Sequence, residues 1–527
     1  MPLPNQLMTY EEILKQAPKE YCQQVAKRIG LPDRLPVSSL RRKIPQKLLN
    51  LPFLKDLVAR LTPYERSVLT MLTFSCGGSG VPFDLFNRKL NQLSQKWPYI
   101  SREIRRDLNE LGLVFAMAVG GFRYCYVIPE DLRTLLLEIF ADDVTAALIS
   151  PEQTPKALRN DGLALIRDIF TFLSFADRYG IKTTQQRTIY KRTEQRILKE
   201  FEATEDTPKI YDQINPTAGN TDRLEFIRQF CWHNRLVDWE ASGMRCSLEG
   251  REWIHKSDAE KIADIYSHWL EKSVSTRTPL IIALSISHIL PPNRWVLLSS
   301  IQEQVAKFGL EVIWEQTLYS YLERTLINHL TYMGCLAFAN LGDDVAIQVT
   351  DLGRRIFSKK PIESYETELT FILQPTYEIL ASSYLAPEIR WTLNQISELS
   401  RASQVSTYKL TAESIYGGLR SGMSIDEILG FLRTHSKTGI PQNIEIAIKE
   451  WAERYGQIYF MDVMLLRCKS ERLAQELKTS KQIEKYILGE ISPRDLIVPR
   501  QKINELLLLL EKKNYMPLPE VVTVEDE

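Results

Sequence analysis

The sequence predicts a mainly α-helical chain with small β-hairpins, built as tandem units and followed by a C-terminal α/β domain. Three observations predict it. Apolar residues recur at helical spacing along most of the chain. Three times that spacing gives way to two short strand-like runs joined through a glycine-containing turn. From about Thr367 the pattern becomes a mixture of buried-strand runs and capped helices.

Residues 1–60 read as an amphipathic helical segment broken by Pro32, Pro36 and Pro45. Thr62-Pro63-Tyr64-Glu65 is then a helix start, with a hydroxyl N-cap, Pro at the first helical position and Glu closing a capping box. That helix should reach Phe74. A second is predicted over Pro82–Leu93 and a third over Tyr99–Leu111. Strands Leu113–Val119 and Phe122–Ile128 follow, joined by Gly120-Gly121, which supplies the positive φ angles of a tight hairpin. Three helices and a hairpin make the winged-helix pattern.

The pattern recurs. Cys231–Leu236 ends a helix, and Val237–Ala241 and Met244–Leu248 read as strands around Ser242-Gly243. A third copy has Leu330–Gly334 ending a helix, strands near Cys335–Asn340 and Val345–Thr350, and a turn at Gly342-Asp343-Asp344. These two copies exit alike, with Ser247, Gly250 and Arg251 at the offsets of Thr350, Gly353 and Arg354. Copies about a hundred residues apart indicate tandem duplication rather than a short-period solenoid. The expected boundaries are 61–150, 151–275 and 276–360 for the three winged units, 366–519 for the C-terminal domain, and 520–527 for an acidic, disordered tail.

Composition limits the function. The 527 residues carry 66 basic and 66 acidic side chains, so the net charge is zero. A histone-like coat for nucleic acid is strongly basic, so any such contact here rests on local basic faces. The seven cysteines include no C-x-x-C pair and read as buried, reduced thiols of a cytoplasmic protein. The N-terminus lacks the pattern of a signal peptide, and the best apolar runs, Pro279–Leu290 and Leu506–Leu510, are too short to span a bilayer.

In the C-terminal part, Leu369–Leu373 is a buried-strand run, and Gln374-Pro-Thr-Tyr-Glu-Ile379 follows it. Then come Tyr408-Lys-Leu-Thr411, Ser414, Gly422-Met-Ser-Ile-Asp-Glu-Ile-Leu429, Leu432, His435, Ile440-Pro441, Trp451 and Tyr455-Gly456, with further strands over Gln457–Phe460 and Met464–Arg467. In order and spacing these residues resemble the helicase-associated domain at the N-terminus of XPB-type DNA helicases. The winged units ahead of it resemble those of bacterial proteins carrying the same domain. The resemblance implies a role beside DNA-processing machinery. It does not bring the motor along: no G-x-x-x-x-G-K-[ST] occurs, and Asp426-Glu427 lacks the rest of a helicase acidic box.

The strongest candidate interface is the third helix of the first unit. With Ile104 as origin, Ile100, Leu108 and Leu111 cluster within about 40°, and Arg102, Arg105, Arg106 and Asn109 spread over about 100° to 200°. This is the element that enters the major groove in winged helices, where Arg pairs with phosphate or guanine. Arg123 on the wing could touch backbone or minor groove. The competing reading is a solvated helix face offset by Asp107 and Glu110. A second basic face, Lys191, Arg192, Arg196 and Lys199, lies on a helix predicted over Thr184–Phe201, diluted by Glu194, Glu200 and Glu202. In the third unit Trp314, Leu318, Leu322, Leu326 and Leu330 form an apolar stripe suited to docking on another domain. Trp232, Trp239 and Trp253 read as core, and His435 as a structural hydrogen-bonding residue.

Scattered histidines and the lack of G-x-S-x-G or H-E-x-x-H spacing give no catalytic constellation, so no enzyme, metal or cofactor is expected. Two readings remain. One is a non-catalytic accessory protein binding double-stranded DNA in repair, transcription or genome maintenance. The other is a scaffold that recruits a separate helicase without touching DNA.

Overall fold

A computed structural model describes residues 8–77, 80–93, 106–119, 123–155, 159–184, 188–203, 222–240, 243–274, 277–309, 315–358, 360–362, 367–455 and 462–518. The chain is mainly helical, with small antiparallel sheets of two to four strands. It divides into two compact units, Met1–Ile446 and Ala447–Glu527. Among the described residues no helix is long and apolar enough to cross a membrane.

The larger unit opens with four short helices, Tyr10–Gln16, Lys19–Arg28, Val37–Leu48 and Leu51–Ala59. The capping box predicted at Thr62 is present and starts the next helix, Pro63–Ser75. Thr9 forms another at the first helix. Pro45 does not break the segment as expected. It lies inside Val37–Leu48, buried against the core, while Pro36 caps that helix.

Three repeats follow, and they share one topology. In the first, helices Pro63–Ser75 and Phe83–Leu93 flank a two-residue strand, Val81–Pro82. Residues 106–110 are helical, and Phe115–Val119 and Arg123–Val127 form the hairpin. Strand Arg123–Val127 sits in the middle of the sheet, between the other two. The third repeat copies this order with helices Thr278–Ile289 and Leu298–Phe308, short strand Val296–Leu297, a helical run from Glu315 to Tyr332, and hairpin strands Leu336–Asn340 and Val345–Val349. Again the last strand is central. In the second repeat, helices Ala164–Tyr179, Lys191–Glu200 and Asp222–His233 precede the hairpin Val237–Glu240 and Gly243–Cys246. Its short strand is reduced to a single bridge, Ile181 to Met244. Helix, edge strand or bridge, helices and hairpin is the order of elements in all three.

The matched exit sequences have one physical role. Ser247 Oγ accepts from Gly250 N at 2.9 Å and donates to Arg235 O at 2.7 Å. Thr350 Oγ1 accepts from Gly353 N at 2.9 Å and donates to Gly334 O at 2.6 Å. The hydroxyl thus caps the exit helix and ties it to the end of the preceding helix. Glycine is required because a Cβ at residue 250 or 353 would stand 2.2 or 2.1 Å from the carbonyl oxygen of Leu236 or Cys335.

Some boundaries differ from expectation. The helix expected from Thr184 begins at Lys191. Thr183 bridges Ile189, which is buried, and Thr184 N bonds Thr188 O at 2.8 Å, so these residues pair with one another ahead of the helix. Leu113 and Val114 are not strand. Their amides return to Leu108 O and close the preceding helix. Leu369 is 62% exposed, and the regular strand is only Ile372–Leu373. The backbone of Phe371 is instead bound to His435 O and Lys437 N. Trp314, Gln457–Phe460 and the tail 520–527 fall outside the described residues.

Beyond the repeats, the larger unit holds a four-stranded sheet ordered Glu398–Arg401, Val405–Lys409, Glu378–Ser382, Ile372–Leu373. Helices Pro387–Ile396, Ala412–Arg420 and Ile425–His435 accompany it, the last with the capping box predicted at Ser424. The smaller unit has its own three-stranded sheet, with Asp495–Pro499 between Val463–Arg467 and Gly489–Ser492. Its core comprises Ala474, Leu477, Ile483, Leu496, Val498, Leu506 and Leu510.

Candidate nucleic-acid interface

The third helix of the first repeat is visible over residues 106–110. Leu108 points inward and is 1% exposed, as its spacing predicts. Arg106 points outward with 64% of its side chain exposed. Its contacts with Glu110 and Asp107 are loose, at 3.7 and 4.0 Å. Those two carboxylates have a closer partner, because Arg28 of helix Lys19–Arg28 donates to Asp107 at 2.8 Å and to Glu110 at 3.0 Å. One of the two acidic charges that would offset the arginine face is therefore compensated from outside the repeat, and Arg106 faces the other. Asn109 is committed within the fold: its amide donates to Val114 O at 2.9 Å and closes the helix-to-strand turn. It positions the helix rather than presenting a free amide. Arg102 and Arg105 lie outside the described residues, as does the Arg123 side chain. The Arg123 backbone pairs with Val119 at the hairpin end.

The second basic face is on the second helix of its repeat, not the third. Lys191, Arg192, Arg196 and Lys199 are all exposed on Lys191–Glu200, while Ile197 and Glu194 are buried. Arg196 lies over the rings of Phe175 and Tyr179, with its guanidinium carbon 5.4 and 5.0 Å from their centroids. Such stacking holds the cation against the protein surface. Burial pushes the Glu200 carboxyl up to about 7, against the pull of Arg178 and Arg196.

The third helices of the other two repeats are sealed. On Asp222–His233, Arg223 is fully buried and bonded to Asp161 and Asp168 at 2.6 Å each. Phe226 packs on His329 and Tyr332 of the third repeat. The facing helical run buries Leu318, Leu322, Leu326 and Leu330, as its apolar stripe predicts. Trp269 Nε1 donates to His329 Nδ1 at 2.9 Å, and burial holds that imidazole down near 3, in its neutral form. Both edges of the third sheet are also engaged: Leu297 N bonds Ile149 O, and Phe338 exchanges two backbone bonds with Arg159. The first repeat alone of the three presents a third-helix cation that is more than half exposed among the described residues.

Of the tryptophans assigned to core, Trp253 is 4% exposed and donates to Asp264, whereas Trp232 is 38% exposed and meets Trp239 edge-on. His435 Nδ1 bonds Leu369 O at 2.9 Å. Among the described residues no group of three or more His, Cys, Asp and Glu side chains could hold a metal. Gly417 and Gly422 have the spacing of a phosphate-loop pair, but Met423 stands at the lysine position and Gly417-Gly418 lie inside helix Ala412–Arg420. No lysine is available there for nucleotide phosphates.

Sequence reasoning missed Arg28. Its carboxylate partners lie 79 and 82 residues away, and no local spacing marks such a pair. A scan of the chain against family models places a known module on this framework: residues 371–492 are similar to the helicase conserved C-terminal domain, a broader designation than the XPB-type resemblance and one that lies within the same C-terminal segment.

Proposed function

We propose that this chain is a non-catalytic accessory protein that binds double-stranded DNA through the third helix of its first winged unit, in repair, transcription or genome maintenance. One observation carries the reading. Arg28 takes the close contacts to Asp107 and Glu110 and compensates one of their two charges, which leaves Arg106 more than half exposed and held to them only at 3.7 and 4.0 Å. The helicase-type domain over residues 371–492 gives the context, beside DNA-processing machinery, and its XPB-type character is part of the proposal. Its role here is to hold DNA or a separate motor protein, because the chain carries no lysine-bearing phosphate loop. The test is duplex binding across a salt series with Arg102, Arg105 and Arg106 changed together to Ala. Wild type should bind with salt-sensitive, micromolar or weaker affinity, and the triple variant should flatten the slope of log K against log salt by about 2 to 3. An unchanged slope removes the assignment.

A second reading, a scaffold that recruits a separate helicase without touching DNA, draws on the sealed third helices of the second and third repeats. It requires no duplex binding even at low salt, together with co-purification of a motor protein.

A further inference from the structure

The zero net charge of the chain hides a local imbalance. Residues 1–60 contain eleven Lys and Arg against five Asp and Glu, a surplus of six positive charges, and the remaining chain compensates it. The four helices of this segment are clamped onto the end of the first unit's third helix. Tyr10 Oη donates to Gly112 O at 2.6 Å, and Tyr21 Oη donates to Asn109 O at 2.9 Å. Gly112 has φ +73°, and a Cβ there would stand 2.4 Å from Tyr10 Oη, 3.0 Å from Val25 and 3.1 Å from Leu48, so three of the four helices converge on it.

Further cations lie on the two helices that carry Arg28 and Lys47. Arg28 and Arg106 share the Glu110 carboxylate. Next to Arg28 in sequence, Lys27 is exposed. Two residues further on, the Gly30 carbonyl accepts from Lys47 Nζ at 3.3 Å, which brings helix Val37–Leu48 alongside. One turn earlier on that helix Lys43 is half-buried on the same side as Lys47, and Arg42 is exposed about 100° round the helix from it. The surface has charge but no apolar anchor. Among the described residues of this segment no large hydrophobic side chain is exposed. Protein partners are usually gripped by buried aromatic or aliphatic anchors, whereas a phosphate backbone needs only placed cations.

We infer that the N-terminal four-helix segment, residues 8–60, is a phosphate-backbone surface that extends the DNA interface of the first winged unit. The inference rests on the DNA-binding reading and adds a second, sequence-independent part to it. Lys27, Arg42 and Lys43 supply the phosphate contacts, and Arg28 joins the two parts.

The experiment changes Lys27, Arg42 and Lys43 together to Ala in the full chain and measures binding of a duplex of about 25 base pairs across a salt series, beside wild type and the Arg102, Arg105, Arg106 variant. Each lost phosphate contact lowers the salt slope by about 0.9, so the slope should fall by about 2 to 3 and binding should weaken equally on unrelated sequences. An unaltered thermal midpoint confirms that the three substitutions leave the fold intact. A wild-type slope in this variant, with binding lost in the third-helix variant, overturns the inference and leaves the parent reading standing. A lowered slope in both variants supports the inference, and loss in this variant alone removes the third-helix assignment on which it rests. Absence of duplex binding by wild type overturns both.

Discussion

Arg28 sits where two arguments meet. It holds the segment before the first repeat to the third helix, and it compensates one of the two acidic charges that would oppose DNA there. Changing it to Ala removes the one positive charge set against the two carboxylates beside Arg106 and leaves one of them uncompensated. Near a phosphate backbone each uncompensated charge costs on the order of 1 kcal/mol at surface dielectric, so duplex affinity should fall by about ten-fold or more. The stability loss should be far smaller, about 0.2 to 1 kcal/mol, because Arg28 is 45% exposed and the pair is screened. The control is Arg28→Ala combined with Asp107→Asn and Glu110→Gln, which should regain most of the affinity. Continued weak binding by that triple variant would mean that Arg28 acts through the fold and not through charge. No reading of the local sequence finds this residue. Helical spacing reveals partners three or four positions apart, and this ion pair closes only when the chain has folded across most of the first repeat.

The helical run from Glu315 to Tyr332 separates the features that spacing reveals from those it hides. Leu318, Leu322, Leu326 and Leu330 stand four residues apart and are all buried, as expected for a docking stripe. Between them Glu323 is 1% exposed, in a π-helical stretch from Glu323 to Asn328. Neither carboxylate oxygen has a hydrogen-bond partner among the described residues. The extra residue of a π turn shifts the face presented by the succeeding turns, so a charged position lands among apolar ones without breaking the stripe. Burial pushes this carboxyl from 4.5 up to about 7. The folded state therefore holds the proton more tightly than the unfolded chain. Its stabilising contribution is complete below about 4.5 and is lost as pH rises through 7. Glu323→Gln removes this dependence. The variant should match wild type in urea unfolding at pH 5 and exceed it in stability at pH 8. The opposite slope from His329, held near 3 and destabilising only as pH falls below 6.5, is common to both proteins and cancels in the difference. An equal gap at the two pH values would show that Glu323 finds a compensating partner.

At the scale of the molecule, the repeat was legible and its assembly was not. Glycine turns between short alternating runs marked all three hairpins, and the paired exit motifs of Ser247 and Thr350 marked a duplication whose capping geometry is the same in both copies. Amphipathic spacing states that a face is buried but not against which neighbour. It therefore could not foresee that Phe74 of the first repeat stacks on Phe308 of the third at 5.1 Å, or that Arg133 of the first reaches Ser285 of the third. These contacts fuse the helical segment and the three repeats into one continuous core that runs from Tyr10 to Ile356. The smaller unit, Ala447–Glu527, is built around a separate set of buried residues with no member in common. Shared cores unfold together, while a short domain with its own core is marginally stable and unfolds by itself. Calorimetry should therefore resolve two transitions. With heat scaling at about 0.7 kcal/mol per residue, the smaller unit's share should be roughly 15% of the total. Leu496 is fully buried in that unit. Its replacement by Ala costs about 2 to 5 kcal/mol in such a core, so it should lower the minor transition or abolish it, with the major one unmoved. A single transition that shifts as a whole in this variant would show that the two cores are energetically one.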